Sequence, residues 1–229
     1  MDRGGADYAR LLFHFVELKI MMKNLLKIIG ISLCLCLFSG TVQAQTPQEE
    51  IVAAIQRSGA AMQTMECDFV QTKTMQLMAE PMISKGRMYY SQPSRLRWEY
   101  TSPVASAFIL DNSKAWTISN GKVTDVSANK MFKGLGRMLI GCLEGKVVND
   151  GKSFRVEISE SPDHWAVKLL PQKNDLKQMW DSIVLHFVPS LNAVVKVEMN
   201  EKSGDATVVE LKNMKVNCSI DDKEFKAEL

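Results

Sequence analysis

The sequence predicts a mainly β, α+β domain in which a curved antiparallel sheet forms an open, incomplete β-barrel under a helical lid. Three observations predict it. Apolar and polar residues alternate over several separate runs, the period of strands with one wet face. Turn-forming residues separate those runs at hairpin spacing. Only two segments of the expected mature chain carry helical spacing, so a large one-faced sheet must curl round them to bury its apolar side.

The chain opens with processed sequence. Residues 1–20 put Asp2, Asp7 and Glu17 ahead of a segment that favours positive charge, which points to a start at Met21 or Met22. From Met22, Lys23 and Lys27 form a positive region, residues 28–38 an apolar run, and Val42-Gln43-Ala44 a small-x-small cleavage signal. That run is shorter than the roughly 20 residues of a membrane-spanning helix. A cleaved secretory signal over about 22–44 follows, with a single domain over residues 45–229, a length that supports a sizeable core. Neither Cys34 nor Cys36 sits in a lipoprotein signal, so the chain itself is not expected to be lipidated. The segment 1–44 holds five of the 28 Lys and Arg and three of the 26 Asp and Glu, leaving 23 of each sign. Near-zero charge argues against nucleic acid as a partner. Cys67, Cys142 and Cys218 remain, allowing at most one internal disulfide, and no Cys-x-x-Cys motif suggests redox chemistry.

Ile51, Ala54, Ile55, Met62 and Met65 recur at helical spacing, with Thr46 before Pro47 as cap, and predict a helix over 47–65. The period then changes to two. Leu96, Trp98 and Tyr100 alternate with Arg95, Arg97 and Glu99; Phe154, Val156 and Ile158 with Arg155 and Glu157; Val195, Val197 and Met199 with Lys196 and Glu198. Trp165, Val167 and Leu169 form another apolar face. Turns are expected at 91–93, 111–112, 120–121, 149–151, 189–190 and 203–205, giving eight or more strands. Met131, Leu135, Met138, Leu139 and Cys142 return to helical spacing among Gly134, Gly136, Gly141 and Gly145, which predicts a short, poorly anchored helix.

Catalytic and metal signatures are missing. His164 and His186 are the two histidines after residue 44, and neither has a recognisable partner in the sequence. His186 reads as a solvent-facing strand residue and His164 as a turn; Asp221 and Asp222 read as solvated tail. No Gly-x-Ser-x-Gly elbow, His-x-x-x-His spacing or phosphate-binding loop appears, so no enzyme, metal or cofactor is expected. The apolar inventory is unusual instead. Eleven of the 14 methionines follow residue 44, among them Met62, Met65, Met75, Met78, Met82, Met88, Met131 and Met138. Flexible, polarizable thioethers suit an adaptable lining, and those on the helices and on segment 71–88 are expected to close over the sheet.

The run from Cys67 to Lys122 carries Asp68-Phe69-Val70-Gln71, then Lys85-Gly86-Arg87-Met88-Tyr89-Tyr90, then Pro93-Ser94-Arg95-Leu96-Arg97-Trp98-Glu99-Tyr100, followed by Pro103, Ile109-Leu110-Asp111 and Ala115-Trp116. In order and spacing it resembles the LolA family of periplasmic lipoprotein carriers. The resemblance implies a monomeric, periplasmic acyl-chain carrier. It would receive lipoproteins from an inner-membrane lipoprotein-releasing ABC transporter and carry them toward the outer membrane, where the existence of a receptor stays open. Strand parity and helix face then assign the acyl-chain cavity to Leu96, Trp98, Phe108 and Trp116, with Ile55, Met62, Met138 and Leu139, and with Met88 from the methionine group. Gln92 stands where the best-known members have a lid-locking arginine, so it is the latch candidate, and a looser lid held mainly by apolar contact is expected. Arg95 and Arg97 alternate away from the Leu96 and Trp98 face. The competing readings are a lipid or lipoprotein sensor, a carrier of another amphiphile such as a glycolipid, and an enzyme with an unrecognised site.

Overall fold

A computed structural model describes residues 46–191 and 193–228, so the start-site, signal-peptide and cleavage expectations lie outside the described residues. Helix α1 (Pro47–Ala61) begins at Thr46, whose hydroxyl accepts from Glu49 N while its own N–H donates to the Glu49 carboxylate at 2.8 Å. This reciprocal pair satisfies two backbone donors at the helix start. The helix ends earlier than its periodicity predicts. Gln63 N donates to Asn217 Oδ1 at 2.7 Å and Gln63 O accepts from Gln92 N at 2.8 Å, so tertiary bonds straighten the chain and Met65 becomes a strand residue.

Six strands follow as a meander: β1 (Thr64–Thr74), β2 (Met82–Ser91), β3 (Arg95–Ser102), β4 (Ser106–Asp111), β5 (Lys114–Ser119) and β6 (Lys122–Asp125). Helix α2 (Lys130–Leu143) and a 3-10 turn (Lys146–Asn149) cross to a second meander. This consists of β7 (Phe154–Ser161), β8 (His164–Pro171), the short helix α3 (Asn174–Met179), β9 (Trp180–Val188), β10 (Ala193–Glu201) and β11 (Ala206–Val216). Every expected turn separates two of these elements, and α3 is an addition that the sequence pattern did not signal.

Pairing of β1 with β11 joins the meanders into one eleven-stranded antiparallel sheet, ordered β6-β5-β4-β3-β2-β1-β11-β10-β9-β8-β7. Strands β6 and β7 are its two edges, so the barrel is open, as the sequence predicts. The concave side holds two apolar clusters. Met62, Met65, Phe69, Met88, Tyr90, Leu96 and Trp98 anchor the first; Ile51, Ile55, Val167, Leu169, Ile183 and Leu185 anchor the second. Ile140 of α2 packs in the first cluster and Cys142 in the second, so α2 lies across both.

One glycine marks a close approach within the sheet. Gly86 on β2 faces Phe69, whose ring would lie 2.5 Å from any Cβ placed there. On the outer face, the last residues are held down. Arg95 bonds Asp222 at 2.9 Å and lies 4.1 Å from the centre of the buried Phe225 ring, while Arg97 Nη1 donates to Glu224 O. Asp221 and Asp222 are exposed, as expected of a solvated tail, while Asp222 also pairs with Arg95 on β3 and Asp221 accepts from Lys223 N. Cys67, Cys142 and Cys218 are free thiols.

Candidate functional site

The candidate site lies under α2. Here the concave faces of β1–β4 and β9–β11 fail to fill the space between them, and a cavity of about 290 Å³ remains. Met88, Trp98, Tyr100 and Phe108 line one wall; Ile183, Val197, Met199, Val209 and Leu211 line the other; Phe132, Leu135, Met138, Leu139, Cys142 and Leu143 of α2 form the roof. Its polar side-chain groups are the Cys142 thiol, the Tyr100 phenol, the Trp98 indole N–H and the Gln71 amide, whose Oε1 accepts from Tyr100 Oη at 2.9 Å, so that carbonyl is satisfied. Burial raises the Tyr100 phenol above its ordinary value, keeping it a neutral donor. Phe69 packs against Trp98 with tilted rings at 4.4 Å and edge-on to Tyr100 at 5.3 Å, which fixes both rings. Burial also pushes the Cys142 thiol up to about 12, so it presents an apolar S–H to the cavity.

Of the residues assigned from the sequence, Met88, Trp98, Phe108, Met138 and Leu139 meet in this lining. Ile55, Met62 and Leu96 do not: they are 3%, 6% and 0% exposed and pack inside the closed clusters. Leu96 points to the correct face but lies toward the filled end of the barrel. Trp116 is on the wrong face. The β4–β5 turn has two residues, Asn112 and Ser113, so Phe108 pairs with Thr117 and Trp116 pairs with Ile109. Paired residues share a face, and this register sends Trp116 outward. The methionines split likewise. Met88 and Met138 line the cavity, Met62 and Met65 are core, and Met78 and Met82 lie in the solvent about the β1–β2 turn, so that segment does not close over the sheet.

The second wall, from β9 to β11, is not among the residues assigned from the sequence. Its alternation at Val197 and Met199 is visible there, but only the β1–β11 pairing brings these strands opposite β3 and β4.

Gln92 bonds the end of α1. Its Nε2 donates to Met62 O at 2.8 Å and to Gly59 O at 3.4 Å, capping carbonyls at the end of α1. Gly59 in turn touches α2: a Cβ there would lie 1.9 Å from Glu144 O. Glu144, 4% exposed, accepts from Tyr90 Oη at 2.6 Å and pairs with Lys146 at 2.6 Å. Burial, then the Glu144 hydrogen bond and charge, raises the Tyr90 phenol, so the proton stays on the tyrosine. Both helices thus carry polar bonds at one end, beside the apolar contacts of α2 with the sheet.

The two histidines also differ from expectation, because they meet. His164 Nε2 and His186 Nδ1 stand 2.8 Å apart on the outer face, and Glu198 Oε1 lies 2.9 Å from His186 Nε2 and 2.6 Å from Lys196 Nζ. Burial first, then Lys196, lowers His186 below its ordinary value. The pair is separated from the cavity by the sheet. Among the described residues, no group of three or more His, Cys, Asp or Glu is arranged to hold a metal ion.

An open antiparallel half-barrel, roofed by a helix over an apolar cavity, has the form of a lipid-binding class of protein. The family model for "Outer membrane lipoprotein carrier protein LolA" matches residues 60–228, and the chain belongs to that family. Among curated relatives, an outer-membrane lipoprotein carrier protein of Methylococcus capsulatus is 21% identical over 79% of this chain and 83% of its own length. That of Chromohalobacter salexigens is 24% identical over 88% and 90%. Among solved structures, a LolA superfamily protein from Nitrosomonas europaea aligns at a TM-score of 0.43 and 12% identity, covering 80% of this chain and 98% of that one. The MucA/MucB complex of Pseudomonas aeruginosa aligns at 0.49 and 10%, covering 78% and 60%.

Proposed function

We propose that this protein is a periplasmic carrier that takes the acyl chains of lipoproteins into the cavity under α2 and ferries them from the inner to the outer membrane. The observation that carries this reading is the cavity itself, whose lining offers an acyl chain almost nothing but hydrocarbon, aromatic and sulfur surface. Burying a methylene contributes roughly 0.8 kcal/mol, so a 14-methylene chain contributes on the order of 11 kcal/mol, enough to hold a lipid in water without a covalent bond. The mature chain, on this reading, starts at Gln45 after signal cleavage and works as a monomer without cofactor. It loads from an inner-membrane lipoprotein-releasing ABC transporter.

At about 290 Å³ the cavity sits at the low end of ligand pockets, roughly 300–1,000 Å³. Triacylated cargo therefore requires α2 to move. A second hollow of about 750 Å³ shares Phe132, Leu135 and Met138 with the first, so displacing these three side chains merges the two spaces. The bonds of Gln92 and of Glu144 to Tyr90 and Lys146 are the latch that holds the closed form.

Native mass spectrometry tests the reading, using protein purified from a periplasm and mixed with a triacylated lipoprotein or the same lipoprotein without its acyl chains. A one-to-one complex with the acylated form alone is expected. Equal binding of both forms, or of neither, overturns lipoprotein carriage.

A further inference from the structure

The β1–β2 turn presents an apolar tip that the cavity does not use. Leu77 is fully exposed, at 100%, and Met78, Met82 and Ile83 beside it are exposed at 48%, 45% and 58%. Val104, in the β3–β4 turn, and Met179, at the end of α3, are also exposed. The sheet register brings all six to one end of the barrel: Lys73 pairs with Met82, Lys85 with Ser102, Thr74 with Ala206, and Glu201 with Trp180. We infer that this end is a bilayer-docking surface, with Leu77 at its tip entering the hydrocarbon boundary of a lipid membrane.

The tip is held outward by built contacts. Met78 N donates to Met75 O at 3.0 Å, closing the turn, and Gln76 N donates to Asp205 Oδ1 at 3.1 Å, fastening it to the β10–β11 turn. Gly204 at φ +87° makes room for Gln76, whose amide nitrogen would lie 2.0 Å from a Cβ at that position. An exposed leucine anchored on both sides keeps its apolar surface in water, a cost that burial elsewhere must recover.

The occupant follows from the chemistry of the patch. Leu77, Met78, Met82, Ile83, Val104 and Met179 have no strong hydrogen-bond donor or acceptor in their side chains, and none is the Tyr, Trp or Arg anchor that dominates protein interfaces. A protruding set of such chains matches a fluid hydrocarbon, which asks for no directional partner. Charge does not select the surface, because Lys73 pairs with Glu201 at 3.3 Å and Lys202 with Asp181, while Glu80 and Lys85 add one charge of each sign.

The position of the tip agrees with its chemistry, given the carrier reading above, on which this inference rests. The cavity occupies the same half of the barrel: Gln71, Tyr100, Phe108, Ile183, Met199 and Val209 all lie within a few residues of the strand ends that meet the tip. Docking by Leu77 therefore sets the cavity beside the bilayer, and an acyl chain passes between them along apolar surface rather than through water.

Flotation of the periplasmically purified protein with vesicles of phosphatidylcholine, with and without phosphatidylglycerol, tests this. Association with both vesicle types is expected, persisting in salt of about 0.5 M. Leu77→Asp is expected to weaken it by at least about ten-fold. Leu191→Asp, an exposed leucine at the opposite end of β10, leaves it unchanged. Equal flotation of the wild type and Leu77→Asp, binding confined to anionic vesicles and abolished by salt, or no flotation of the wild type overturns the inference. Fatty-acid binding in solution is measured on the same samples: its loss in Leu77→Asp also overturns the inference, whereas its absence from the wild type sinks the carrier reading alone.

Discussion

Trp98 lines the cavity wall, and its neighbour in sequence faces the other way. Glu99 lies on the outer side, bonded to Arg97 at 3.0 Å. Burying a carboxylate in a dry apolar wall is costly, whereas reversing a charge in solvent changes little. Trp98→Glu is therefore expected to weaken fatty-acid binding by at least about ten-fold and Glu99→Lys by less than about two-fold, read by displacement of a fluorescent fatty acid. His186 gives a prediction in pH. Its folded form binds a proton less readily than the unfolded chain, with His164 and Lys196 opposing the charge and Glu198 favouring it. This contribution is complete above the ordinary histidine value of 6.5 and is lost as pH falls below it toward the lowered folded value. Urea midpoints between pH about 7.5 and about 5.5 should fall in the wild type and fall less in His186→Gln.

At the scale of elements, α1 meets the end of α2 where Gly59 approaches Glu144. Gly59→Ala drives a Cβ into Glu144 O, a backbone atom that cannot swing aside, so the helices must separate. Gly134, on α2, has nothing within 4 Å of the place an added methyl would take and gains helix propensity as alanine. Urea titration should show Gly59→Ala destabilising by about 2 kcal/mol or more and Gly134→Ala stabilising by about 0.5–1 kcal/mol. Gln92→Ala removes the bonds to Met62 O and Gly59 O, which is worth about 1 kcal/mol. Faster amide exchange at the end of α1, with β8 and β9 unchanged, is the expected signature; uniform acceleration would mean that Gln92 supports the whole fold rather than the lid.

The whole molecule divides its stability between a filled end and a hollow one. Tyr90, Leu96, Met65 and the moorings of both helices close the first, while the wall residues of the second have no protein atoms opposite them across the cavity. Surface facing a void lacks the dispersion contacts that a packed core provides, so a ligand that supplies them stabilises the fold. A fatty acid at a hundredfold excess over its Kd contributes about 2.7 kcal/mol, which for a domain of this size raises Tm by about 5–10 °C. A thermal shift with Trp98→Glu equal to that of the wild type would place the ligand elsewhere.

Alternation, turn chemistry and helical spacing are local properties, and they were enough to determine an antiparallel sheet, two of its helices and the family motifs from Phe69 to Trp116. The Thr46 cap was legible for the same reason: the donor and acceptor lie three residues apart. Site membership was legible where a single element sufficed, as at Met88, Trp98 and Phe108 on their strands and Met138 and Leu139 on α2. Trp116 turned on the two-residue register of a hairpin, since a shift of one residue reverses every side chain beyond the turn. Leu96 depended on which end of the barrel the helices fill, and the Val197, Met199 and Val209 wall on the β1–β11 closure between residues more than 130 positions apart. The sequence determines each strand's two faces; only the tertiary structure decides which faces meet, because a cavity is a relation between distant walls and belongs to neither.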